Sequence, residues 1–152
     1  MPELQKITPF LWFDGQARAA AELYVSLFPD SRIVSSSPLP SGPAEGAAVV
    51  SFVLAGQEFT ALDGGPMFQF SPAISFVINC DSQAEIDHFW EGLSEGGQKE
   101  QCGWLRDSFG VSWQIVPVQL EALLEANPEG VMSALMEMGK IDLAALESAA
   151  GG

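Results

Sequence analysis

The sequence predicts an α+β fold: two copies of a β-α-β-β-β module, followed by short helices. Three observations predict it. Two amphipathic helical patterns carry matching apolar positions 66 residues apart, Ala20, Leu23, Tyr24 and Leu27 against Ile86, Phe89, Trp90 and Leu93. The apolar strands before them, residues 7–13 and 73–79, shift by the same interval. A hairpin pattern closes the second copy at residues 102–117, with strand-like residues on both sides of the DSFG turn at 107–110.

Residues 7–13 (ITPFLWF) are rich in β-formers and precede the turn pair Asp14 and Gly15. A helix spans 17–28 and stops at Pro29 and Asp30. Residues 32–36 form a short strand, and 38–46 a loop of Pro, Gly and Ser. Strands 47–54 and 58–62 follow, joined by Ala55, Gly56 and Gln57 as a hairpin. The DGGPM run at 63–67 is a linker between the copies, in which Asp63 either shapes the turn or lines the mouth of a cleft. The second copy opens with strand 73–79 and helix 82–95, whose Ser82 and Glu85 form a capping box.

The last strand alternates, so Ser112, Gln114 and Val116 share one face while Trp113 and Ile115 share the other. Cys102 and Trp104 lie on the strand opposite, and Asp107 serves the turn rather than acting as a base. Beyond residue 118, the patterns Leu120/Leu123/Leu124, Val131/Leu135/Met138 and Ile141/Leu146 predict short helices packed on the sheet or on a second subunit. Residues 149–152 are expected to fray. The chain reads as one domain over 1–152, with modules at 5–63 and 73–117 and a helical tail at 118–150.

Composition narrows function. Apolar residues make up 47% and charged residues 17%, which fits a packed core and not disorder. A net charge of −14, with no basic patch, repels phosphate backbones and anionic lipid, so nucleic-acid and membrane partners are excluded. No apolar run is long enough to span a bilayer and the first residues carry no signal-peptide core; a cytoplasmic location is expected. Cys80 and Cys102 fit small buried side chains better than reactive thiols or a disulfide. His88, the single histidine, lies off the apolar helix face as a solvated side chain.

The runs ITPFLWFDG (7–15), LYVSLFP (23–29), FTALDGGPMFQFSPAISFVINC (59–80), CGWLRDSFGVSWQIVP (102–117) and VMSALMEMGKIDLAALESA (131–149) span nearly the whole chain. They resemble the PhnB-like family, called 3-demethylubiquinone-9 3-methyltransferase-like, within the vicinal-oxygen-chelate superfamily of glyoxalases, bleomycin-resistance proteins and extradiol dioxygenases. That resemblance implies two modules forming a curved sheet around a cleft, commonly completed in a homodimer. It implies metal-ligand positions at Thr8 or Pro9, Ser75 and Gln114, where hydroxyl and amide groups are poor donors for a first-row metal. No metal and no cofactor are therefore expected. Nor is a methyl-donor site, since the glycines after Asp63 do not open a helix.

The expected cleft is lined by Thr8, Phe10, Trp12, Ser75, Trp104 and Gln114, with Val77 and Asn79 beside Ser75. Leu11, Phe13, Phe76 and Ile78 pack under the helices. Trp12 and Trp104 fit a cleft wall and a core or dimer-interface position equally. Apolar walls with a few convergent polar groups suit a small organic ligand. Three functions stay open: a ligand-binding protein, an isomerase, lyase or transferase on the same fold, and an interaction module.

Overall fold

The structure is a computed structural model that describes residues 5–151. The chain divides into two compact units, residues 1–70 and 71–152. The first holds β1 (Phe10–Phe13), α1 (Ala17–Leu27), β2 (Arg32–Pro38), β3 (Ala48–Leu54) and β4 (Gln57–Asp63). The second holds β5 (Ser75–Cys80), α2 (Gln83–Ser94), β6 (Gln98–Lys99), β7 (Trp104–Arg106) and β8 (Ser112–Pro117). Its tail is α3 (Leu120–Ala126), α4 (Pro128–Met136) and α5 (Leu143–Gly151).

The two sheets have the same strand order, β1-β4-β3-β2 and β5-β8-β7-β6, with the first pair parallel and the others antiparallel. The repeat seen in the sequence is thus a repeat of topology. The offset of 66 residues links the first residues of α1 and α2, and reaches the first residues of β2 and β6, Arg32 and Gln98. It fails afterwards, because the second copy lacks the loop at 39–47. In each unit the helix covers one sheet face. Ala17, Ala20, Ala21 and Tyr24 of α1 are buried with Leu11, Phe13, Val50, Phe52, Phe59 and Ala61. Ile86, Phe89, Trp90 and Leu93 of α2 are buried with Ile78, Leu105, Trp113 and Ile115. Leu23 and Leu27 are only half-buried, while the small Ala17 and Ala21 are fully buried.

Local chemistry accounts for the joints. The first turn of α1 has no side-chain cap of its own; Asp63 supplies it across the unit, its Oδ1 accepting from the Ala17 amide at 2.7 Å. Asp63 therefore ends β4 and holds a helix end rather than shaping a turn. The Ser82 hydroxyl accepts from the Glu85 amide, and the Glu85 carboxylate accepts from the Asp81 amide, which closes the capping box one residue earlier than a strict motif. The β3–β4 turn has two residues, Ala55 and Gly56, both at positive φ (48° and 87°), the type I′ pattern that matches strand twist.

Several boundaries differ from the sequence reading. Strand β1 starts at Phe10, so Thr8 precedes it; β5 starts at Ser75. Strand β2 runs on to Pro38, which is tolerable because β2 is a sheet edge. Cys102 is not on a strand: its φ is +61°, and its amide and that of Gly103 donate to the Met138 and Gly139 carbonyls of the tail. Residues 149–151 are helical rather than frayed. Ala149 and Ala150 pack on the tail core of Val116, Val131, Leu135, Ile141 and Leu146, and the Ala149 carbonyl accepts from Asn127 Nδ2 at 2.9 Å. Gln83 ties α2 to the tail, donating to the Ile141 carbonyl and accepting from the Leu143 amide.

Candidate functional site

Ser75, Gln114 and Trp104 come together on the open face of the second sheet, opposite α2. The register pairs Val77 with Gln114 and Gln114 with Trp104, and one step along pairs Ser75 with Ser112 and Ser112 with Arg106. Paired residues point to the same side, so the face carries an apolar row of Val77 and Trp104 interrupted by an amide, beside a row of hydroxyls. The Gln114 amide reaches diagonally across, and its Nε2 donates to Ser75 Oγ at 2.9 Å. That contact leaves the Gln114 carbonyl as an acceptor and the Ser75 hydroxyl hydrogen as a donor. Val77 and Asn79 are exposed; Ser75, Trp104 and Gln114 are half-buried.

Ser112 was not among the residues the sequence singled out, beyond its face. Its side chain is 1% exposed, and its hydroxyl has no hydrogen-bond partner among the described residues. A buried polar atom without a partner costs about 1–3 kcal/mol, and a group that supplied one would recover part of that. Only the tertiary structure reveals it, since a serine in an alternating strand is ordinary. At the far end of the same row, Arg106 is neutralised by Glu100 at 3.0 Å and donates to Gln98 at 2.8 Å.

The first unit treats its three predicted residues differently. Trp12 is bound by the segment that follows β4. Its Nε1 donates to the Gly65 carbonyl at 2.9 Å, Phe68 meets it edge-on at 5.1 Å, and Gly64 lies so close that an added Cβ would overlap the ring. Phe70 packs in the same manner on Phe13 at 5.2 Å. Residues 64–70 thus clasp β1: Gly64 allows the close approach and Gly65 the positive φ of 99°, and no helix follows them before β5. Phe10 is 58% exposed. Thr8 is half-buried and held by Gln5 Nε2 at 3.5 Å.

The remaining candidates resolve simply. Asp107 is 3% exposed and accepts from the amides of Phe109 and Val111 and from Trp113 Nε1, all within 3.0 Å. It is the organising acceptor of the β7–β8 turn. Cys80 is fully buried, and burial, reinforced by Glu85 and Asp81, pushes its thiol up to about 12. Cys102 is half-buried with its Sγ 3.6 Å from Met136 Sδ. His88 is exposed, its ring 4.9 Å from that of Phe89. Among the described residues, no group of three or more His, Cys, Asp and Glu is placed to hold a metal ion. None of their helices is long and apolar enough to cross a membrane.

Comparison with known proteins gives this geometry a family. The family model for 3-demethylubiquinone-9 3-methyltransferase matches residues 5–116. The chain belongs to this family. A PhnB protein from Bacillus cereus, given the same methyltransferase name, is 39% identical; the match covers 74% of this chain and 99% of that one, with a TM-score of 0.68. Protein PA1353 from Pseudomonas aeruginosa is 23% identical over 75% of this chain and 98% of that one, TM-score 0.64. The fosfomycin resistance protein FosX from Listeria monocytogenes, solved with Mn(II) and sulfate, is 17% identical over 76% of this chain and 91% of that one, TM-score 0.50, a likeness of fold. No curated protein matches. The family sits within the vicinal-oxygen-chelate fold group, to which PhnB and FosX belong. The polar pair on this sheet is a serine hydroxyl hydrogen-bonded to a glutamine amide.

Proposed function

We propose that this protein binds a small organic molecule, without a metal, on the open face of the second sheet. The observation that carries the proposal is the Gln114–Ser75 hydrogen bond set between Val77 and Trp104. A flat, apolar ligand bearing one donor and one acceptor suits such a face. A protein of charge −14 favours a neutral or cationic ligand over an anion. In the first unit Phe10 is exposed, Thr8 is hydrogen-bonded to Gln5, and Trp12 is engaged with Gly65 and Phe68 of its own unit. A cytoplasmic location and a homodimer complete the proposal, the dimer supported by the exposed apolar residues Ile7, Met67 and Phe68 of the first unit.

The test is a thermal-shift screen of neutral and cationic aromatic compounds, followed by titration of the hits against Gln114→Ala, Ser75→Ala and Ser112→Ala. A ligand at 100 times its dissociation constant stabilises by about 2.7 kcal/mol. Expected is a loss of that stabilisation in Gln114→Ala and Ser75→Ala with the unliganded stability little changed. Hits whose affinity is the same in all variants would place the site elsewhere. The family name favours a second reading, a transferase. Methyl transfer from a donor to one of the screened ligands, abolished by Gln114→Ala, would establish it over simple binding.

A further inference from the structure

We propose that the groove between α3 and α4 docks a basic amphipathic helix of a partner protein. Helix α4 has two faces that differ in kind. Val131 and Leu135 are buried and fasten it to the tail core. Pro128, Met132 and Met136, also spaced by four, form a stripe turned outward, with Met132 44% and Met136 54% exposed. Leu124 of α3 supplies the opposite wall of a groove of about 620 Å³, whose remaining lining is Glu129, Ser133 and Glu137. The groove therefore runs as an apolar floor beside a stripe of carboxylates.

Residue types argue for a peptide occupant. Methionine is unbranched and polarizable, so a methionine floor adapts to side chains of varied shape where branched residues would demand one. Met136 is steadied at one end by the Cys102 thiol, 3.6 Å away. A nine-residue helix is about 13 Å long, which matches about two turns of a docked helix and two or three of its apolar anchors.

Charge selects the partner. Residues 118–151 carry six carboxylates (Glu121, Glu125, Glu129, Glu137, Asp142 and Glu147) against a single cation, Lys140, which is engaged with Asp87 at 2.9 Å. A second copy of this chain would bring Glu129 and Glu137 against like charges, and nucleic acid or anionic lipid is repelled for the same reason. Lysines and arginines flanking an apolar helical stripe meet both features of the groove at once.

The probe is a fluorescein-labelled helical peptide of leucine and lysine with its leucines at helical spacing, read by fluorescence anisotropy with the full chain. A peptide of identical composition, scrambled to break the stripe, and a leucine–glutamate analogue are the controls. Expected is saturable binding of the patterned basic peptide, weakened about tenfold or more by Met132→Ser with Met136→Ser, and again by Glu129→Lys with Glu137→Lys. These residues are exposed, and circular dichroism checks that each variant is folded. Equal binding of the scrambled peptide, or affinities unchanged in both variants, would overturn the proposal. So would the absence of binding, or a chain whose self-association, measured by sedimentation, is abolished by Met132→Ser.

Discussion

Asp107 and Cys80 mark opposite ways of keeping an ionisable side chain inside. Asp107 is held by hydrogen bonds, its two oxygens accepting from two turn amides and the Trp113 indole. Asp107→Asn would set an amide N–H against the indole N–H. Denaturant unfolding should show a loss of about 1–3 kcal/mol with altered tryptophan emission, and an unchanged midpoint would contradict the acceptor role. Cys80 is kept neutral. Its folded pKa of about 12 lies above the reference of 9.0, so its stabilising preference is intact below pH 9 and is lost between 9 and 12 as the unfolded chain ionises. Comparing urea unfolding at about pH 8 and about pH 10.5, wild type should lose more stability than Cys80→Ala; parallel losses would refute the shift. Alternation alone places Gln114 on the open face and Trp113 on the covered one. The orphaned Ser112 hydroxyl was not legible, because whether a serine finds a partner depends on neighbours from other strands.

At the scale of elements, two joints carry measurable strain or closeness. Ala55 holds φ = 48° in a turn whose first position favours Asn or Gly, so Ala55→Asn should raise stability by about 0.5–1 kcal/mol in thermal or chemical unfolding. Gly64 has no room for a methyl against Trp12; Gly64→Ala should cost about 1–3 kcal/mol and shift the tryptophan emission to the red. A wild-type spectrum in that variant would mean the clasp of residues 64–70 is not rigid. The two helices were legible because eleven or twelve residues give the 3.6-residue period room to repeat. Strand β6 was not. Gln98–Lys99 is two polar residues with no periodicity, and it becomes a strand only by pairing with Arg106 and Leu105. The tail's last turn was misjudged for a similar reason. Its alanines look weakly attached in sequence, yet packing on Leu146, Val131 and the Asn127 bond holds them.

The whole molecule is dominated by acidity: twenty carboxylates against six lysines and arginines. Self-repulsion of that charge is screened by salt, with a Debye length near 10 Å at about 0.1 M. The melting temperature should therefore rise from low to moderate NaCl at neutral pH, and a flat response would show that the charges are too dispersed to matter. The sequence by itself determined the duplication, the helix faces and the family, since each is written in periodicity or in long matching runs. It also determined that the positions at Ser75 and Gln114 lack strong metal donors, a matter of residue type alone. The tertiary structure decided how side chains are spent. The Trp12 indole is engaged by the Gly65 carbonyl, 53 residues away. Asp63 could shape a turn, and instead it holds the first turn of α1 from 46 residues away. Such choices lie with partners distant in the chain, which no local pattern encodes.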